Sequence, residues 1–120
     1  MNATRRAVVL VVFVVSEASS AAYAQTHRNE AVRLMNTLAP DLQRFALART
    51  VQSAGEKCQE GNRHLFLGYD QQNAGYYTVA CTNGRAYQVQ IGAGKGGATK
   101  ILSCDILKAV KVDCWQKFSK

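Results

Sequence analysis

The most apolar stretch of the chain comes first. Ala7 to Val15 (AVVLVVFVV) is uninterrupted, follows Arg5 and Arg6, and gives way to small polar residues ending in Ala22-Tyr23-Ala24. A basic start, an apolar middle and an A-x-A end are the three parts of a secretory signal peptide. The run is less than half of the about 20 apolar residues that a spanning helix needs, and Glu17 soon follows it. The pattern predicts a signal peptide over 1–24 and one mature domain over 25–120, exported to a periplasm or beyond. Two export routes stay open. The short, very apolar leader suits the general secretory route, whereas Thr4-Arg5-Arg6 loosely matches a twin-arginine motif.

The pattern then becomes helical. Ala31, Leu34, Met35, Leu38, Leu42 and Phe45 recur at three- and four-residue spacing, which predicts one buried helical face. Asn29 is placed to cap the helix, with Glu30 in its first turn. Pro40 either kinks one helix or starts a second at its first turn. The expectation is a helix or helical pair over 29–53, stopped at Gly55.

Short strand-like runs follow at 63–70, 76–82, 85–91 and 98–102. Asn83-Gly84 between two of them reads as a two-residue hairpin turn. That turn would set Ala80 opposite Tyr87, Thr78 opposite Val89 and Tyr76 opposite Ile91. Tyr87, Val89 and Ile91 would then face the helices. Tyr77, Val79, Cys81, Gln88 and Gln90 would lie on the other, more polar face. Ser103 is placed to cap a short helix over 105–111, with Ile106, Leu107 and Val110 inward. The fold class expected is α+β: an N-terminal helix or helical pair packed on a four-stranded antiparallel meander, with a short C-terminal helix and two disulfides.

The four cysteines are Cys58, Cys81, Cys104 and Cys114. An even count in an exported chain predicts a disulfide framework, with three possible connectivities. A meander brings Cys58, just before the first strand, to Cys81 at the end of the second. Cys104 and Cys114 flank one short helical element. Pairing Cys81 with Cys104 would have to reach across the third strand, which exceeds disulfide geometry. The expected bridges are therefore Cys58–Cys81 and Cys104–Cys114. The cysteine spacing fits no redox C-x-x-C, no structural zinc pattern and no c-type haem attachment.

Charge adds one constraint. The chain carries a formal +7, and loss of Arg5, Arg6 and Glu17 would lower this by one. The basic residues are scattered, with one concentration at Lys108, Lys111, Lys117 and Lys120. Diffuse positive charge implies weak attraction to anionic surfaces, and no nucleic-acid partner is expected. Gly92-x-Gly94-x-x-Gly97 matches a dinucleotide fingerprint in form only, because a strand and not a helix follows it. His27 and His64 have no nucleophile motif beside them, although Ser53 and Ser103 are formal candidates for pairing with His64. The carboxylates show no metal-loop or paired-acid spacing. No catalytic, cofactor or metal residues are predicted. The candidate interface residues are Tyr77, Gln88, Gln90 and Trp115, since exposed aromatics favour interfaces.

Helices followed by a meander, with Gly55-x-x-Cys58 after the helix and a Cys81-x-x-Gly84 hairpin, resemble small uncharacterised bacterial periplasmic proteins. The element order is also similar to PepSY and beta-lactamase-inhibitor-like domains. That resemblance implies protein binding. The leading expectation is a non-enzymatic exported binding or accessory protein, with an envelope protein as candidate partner. The rivals are a small redox or hydrolase enzyme and an electrostatic binder of anionic envelope polymers.

Overall fold

The computed structural model describes residues 29–94 and 98–119. The predicted signal peptide, His27, Gly97 and Lys120 lie outside the described residues. The fold is α+β. Two helices, α1 (Glu30–Thr37) and α2 (Pro40–Ser53), precede strands β1 (Gly61–Tyr69), β2 (Gly75–Cys81), β3 (Ala86–Ile91) and β4 (Thr99–Ser103), and a short helix α3 (Cys104–Ala109) follows. The sheet is antiparallel in the order β1-β2-β3-β4.

Local chemistry explains each boundary. The Asn29 side chain caps α1 by accepting from the Val32 amide at 3.1 Å. Pro40 sits in the first turn of α2, where its missing N–H costs no hydrogen bond. It therefore starts a second helix. Gly55 ends α2 in the left-handed region (φ 88°), with the Gly55 and Glu56 amides donating to the carbonyls of Gln52 and Val51. The Ser103 hydroxyl caps α3 through the Asp105 amide. The glycine loop after Ile91 joins two antiparallel neighbours, β3 and β4, so it is a hairpin connection.

The β2–β3 hairpin corrects the expected register. The turn has three residues, Thr82-Asn83-Gly84. The Cys81 amide donates to the Arg85 carbonyl at 2.7 Å, and Gly84 takes φ 85°. The Asn83 side chain shapes the turn by accepting from the Arg85 amide and donating to the Lys57 carbonyl. This is a three-residue hairpin loop closed by a left-handed glycine. One extra residue shifts the pairing to Val79 opposite Tyr87, Tyr77 opposite Val89 and Gly75 opposite Ile91. A one-residue slip sends every side chain of a strand to the other face. Tyr77 and Val79 therefore join Tyr87, Val89 and Ile91 beneath the helices. Tyr76, Thr78 and Ala80 share the back face with Gln88 and Gln90.

The core lies between the front of the sheet and the helices. Val32, Leu47, Ala48 and Val51 pack over Tyr77, Val79, Tyr87, Val89 and the Cys58–Cys81 bridge. Val32 is fully buried and sits against Gly75, where an added Cβ would come within 2.5 Å of a Val32 methyl. Asn29 is the hinge pin of this layer. Besides capping α1, its Nδ2 donates to the carbonyls of Asn73 and Ile91 at 2.8 and 3.1 Å. One buried amide thus ties the first helix to the β1–β2 turn and to the end of β3.

The back face is also covered, by the segment after α3. The Thr78 hydroxyl donates to the Cys114 carbonyl, and the Phe118 amide donates to the Leu67 carbonyl at 2.8 Å. The Phe118 ring stacks edge-on against Tyr76 at 4.9 Å. The Cys104–Cys114 bridge holds this tail to the end of β4.

Two substitutions test the layer. Asn29→Asp keeps the cap but sets a carboxylate against two carbonyls. It should lower stability by about 1–3 kcal/mol, although aspartate caps a helix as well as asparagine does. Gly75→Ala should cost about 1–3 kcal/mol by overpacking, and pairing it with Val32→Ala should recover part of the loss in a denaturation cycle. Additive losses would refute the contact.

Candidate functional site

The predicted interface does not assemble on the sheet. Tyr77 is fully buried, not solvent-facing. Its hydroxyl donates to Asn36 Oδ1 at 2.5 Å, and burial pushes its pKa up. Gln88 is buried on the back face opposite Leu102. Gln90 is half-buried between Tyr76 and Lys100. Trp115 is half-buried, with the Arg63 guanidinium 3.9 Å from its ring centre. The four candidate interface residues are thus spread over the core, the back face and the tail. The register slip accounts for Tyr77, and the overlying tail accounts for Gln88.

The apolar helical face predicted to be buried supplies the surface instead. Leu34, Leu38 and Leu42 are exposed, and Phe45 is 61% exposed. At about 100° per residue, Leu42, Phe45 and Arg49 fall on the side of α2 roughly opposite Leu47, Ala48 and Val51. The helix is apolar on two sides, and the sheet takes only one. Beside Phe45 a depression of about 390 Å³ opens where α2 meets the start of β1, lined among others by Arg44, Phe45, Arg49, Glu60 and Gly61. The Arg49 guanidinium lies 5.9 Å from the Phe45 ring centre. The arrangement offers an apolar contact edged by two arginines and two carboxylates, Asp41 and Glu60.

Groups with catalytic potential are engaged structurally. His64 Nε2 donates to Gln43 Oε1 at 2.8 Å, since the Gln43 amide nitrogen already donates to the Leu38 carbonyl. The Ser53 hydroxyl donates to the Arg49 carbonyl, and the Ser103 hydroxyl caps α3. Neither serine is bonded to His64. Asp70 accepts from the Gln72 and Ala74 amides and from the Tyr76 hydroxyl, shaping the β1–β2 turn. Burial opposes its ionisation, but these hydrogen bonds prevail and hold its pKa below the usual value. Burial, followed by the bond to Asp70 and its charge, pushes Tyr76 up to about 12. All four cysteines are in disulfides. Among the described residues no group of three or more His, Cys, Asp or Glu is placed to hold a metal ion, and no helix is long and apolar enough to cross a membrane.

The fold and its surface define a class: a disulfide-stapled α+β domain with exposed apolar side chains on its helices. No protein family, curated protein or solved structure matches the chain.

His64 gives a pH test of this packing. Burial, then the nearby Arg44 charge, lowers its pKa below 6.5. The unfolded chain therefore takes up the proton first. The stability tied to neutral His64 is fully present above about 6.5 and declines as pH falls from there towards the folded value. The melting temperature should drop across this window, and less so in His64→Gln. Equal pH profiles for the two proteins would contradict the assignment.

Proposed function

We propose that the protein is a non-enzymatic, exported binding or accessory module whose outer helical face receives an envelope protein. The observation that carries this reading is the exposure of Leu34, Leu38, Leu42 and Phe45 on a scaffold locked by two disulfides. Large apolar side chains exposed on both helices mark candidate interaction surface. Arg44, Arg49, Asp41 and Glu60 beside Phe45 suit a partner that presents apolar side chains ringed by charges of both signs. Export fits the disulfides, which persist in oxidising compartments. The leader at 1–24 would deliver the chain there.

Immobilised wild-type protein and a Leu42→Ser/Phe45→Ser variant would be exposed to envelope extract, and any retained protein purified and titrated against both. The expected result is a partner held by the wild type and weakened about tenfold or more by the variant. Equal retention by both, or none by either, would overturn the proposal. Mass spectrometry of the exported protein should find cleavage after Ala24 and no free thiol.

A further inference from the structure

The two outer edges of the sheet are finished differently. Along β1 the pairing with β2 is irregular at Gly61–Arg63 and at Phe66–Gly68. Within the second irregularity the Phe118 amide of the tail donates to the Leu67 carbonyl at 2.8 Å. Bulges twist an edge and spoil it as a template for pairing. Strand β4 has none. Its five residues pair with β3 without a shift, and among the described residues no strand lies beyond it. Helix α3, which follows, has no buried residue, and Ile106 and Val110 are 58% and 66% exposed. The expectation that these two side chains pack inward is therefore corrected.

The ladder fixes which backbone groups of β4 point outward. The Gly92 amide donates to the Ala98 carbonyl at 2.8 Å. Hydrogen-bonded pairs alternate along an antiparallel ladder, so Gln90–Lys100 and Gln88–Leu102 are the pairs that bond across it. Thr99, Ile101 and Ser103 therefore turn their N–H groups away from β3. The Thr99 and Ile101 carbonyls turn with them, whereas the Ser103 carbonyl opens α3. The result is a regular row of donors and acceptors along the edge, which is a template for one more strand.

The sequence of β4 selects that strand. Thr99-Lys100-Ile101-Leu102-Ser103 complements itself when laid antiparallel about Ile101. Ile101 then meets its own counterpart, Thr99 meets Ser103, and Lys100 meets Leu102. Hydroxyl faces hydroxyl, and the lysine stem lies along an aliphatic side chain. The two lysines stand on a diagonal and are not directly opposed. Ile101 packs on the core yet is only half-buried, and its counterpart would cover the open side. Leu102, 41% exposed on the back face, would be covered by the lysine stem.

We infer that β4 pairs with β4 of a second copy of this chain across a two-fold axis at Ile101, fusing two four-stranded sheets into one. The Ile101 residues exchange two hydrogen bonds, and each Ser103 amide meets the other copy's Thr99 carbonyl. Such a contact is isologous and closes on itself, and the irregular β1 edges end the sheet on both sides. Five residues per chain make a small contact, so the dimer is weak. Both copies carry net positive charge, so added salt strengthens the pairing by screening their repulsion.

Sedimentation velocity of the disulfide-intact protein, from micromolar to millimolar concentration, tests this. The expected result is a shift from monomer to dimer with no larger species, and slower amide exchange at Ile101 as the dimer forms. Thr99→Pro removes an N–H that points outward, at the first residue of a strand, where proline is tolerated. It should weaken the dimer about tenfold or more and leave the melting temperature of the dilute protein unchanged. Leu102→Lys sets a lysine directly opposite Lys100 and should weaken the dimer about fivefold. Exchanging the two residues, Lys100→Leu/Leu102→Lys, sets leucine opposite lysine again and should restore association. Leu42→Ser/Phe45→Ser should leave the dimer intact, which separates this edge from the protein-binding face. A monomer at every concentration would overturn the inference, and protection of its Ile101 amide would put another segment of the chain on the edge. Growth beyond a dimer, or no recovery in the exchanged variant, would overturn it as well.

Discussion

The architecture depends on how β2 meets β3. The exchange between Cys81 and Arg85 across Thr82-Asn83-Gly84 decides which side of β2 faces the helices. With this register, Tyr77 and Val79 stand beside Tyr87 and Val89 and complete a wide apolar face. It also places the Cys81 sulfur within reach of Cys58 under the same layer. Tyr77 then meets α1 through Asn36. A shift of one residue would turn Tyr76, Thr78 and Ala80 inward in place of Tyr77 and Val79.

The two disulfides act on different kinds of structure. Cys58–Cys81 lies inside the core, where it joins the exit of α2 to the hairpin and is surrounded by buried side chains. It reinforces packing that is already dense. Cys104–Cys114 closes a segment whose short helix has no fully buried residue. The tail it holds covers the back of the sheet through Thr78, Leu67 and Tyr76. Such staples are the usual answer of small exported domains to a limited core.

This division of labour leaves apolar side chains outside on the helices. On α1 and α2 they lie away from the side that packs on the sheet. On α3 they ride on a disulfide-closed segment that carries both lysines and aspartates.

Much of the fold was legible along the chain. Asn29, Pro40 and Ser103 mark helix starts by short-range chemistry, and the meander favoured the pairings Cys58–Cys81 and Cys104–Cys114. These features depend on neighbours a few residues away, or on strand order. Which faces became core was not legible, for three physical reasons. Helix α2 is apolar on both sides, so periodicity could not choose between Leu42 with Phe45 and Leu47 with Val51. The hairpin could close over two residues or three, and that choice reverses β2. The polar face of the sheet, with Gln88 and Thr78, was free to meet solvent until the tail folded across it. Composition and local spacing thus determined the elements, their order and their staples. Only the tertiary structure decided which side of each element was spent on the core, because burial depends on what packs opposite a residue and not on the residue alone.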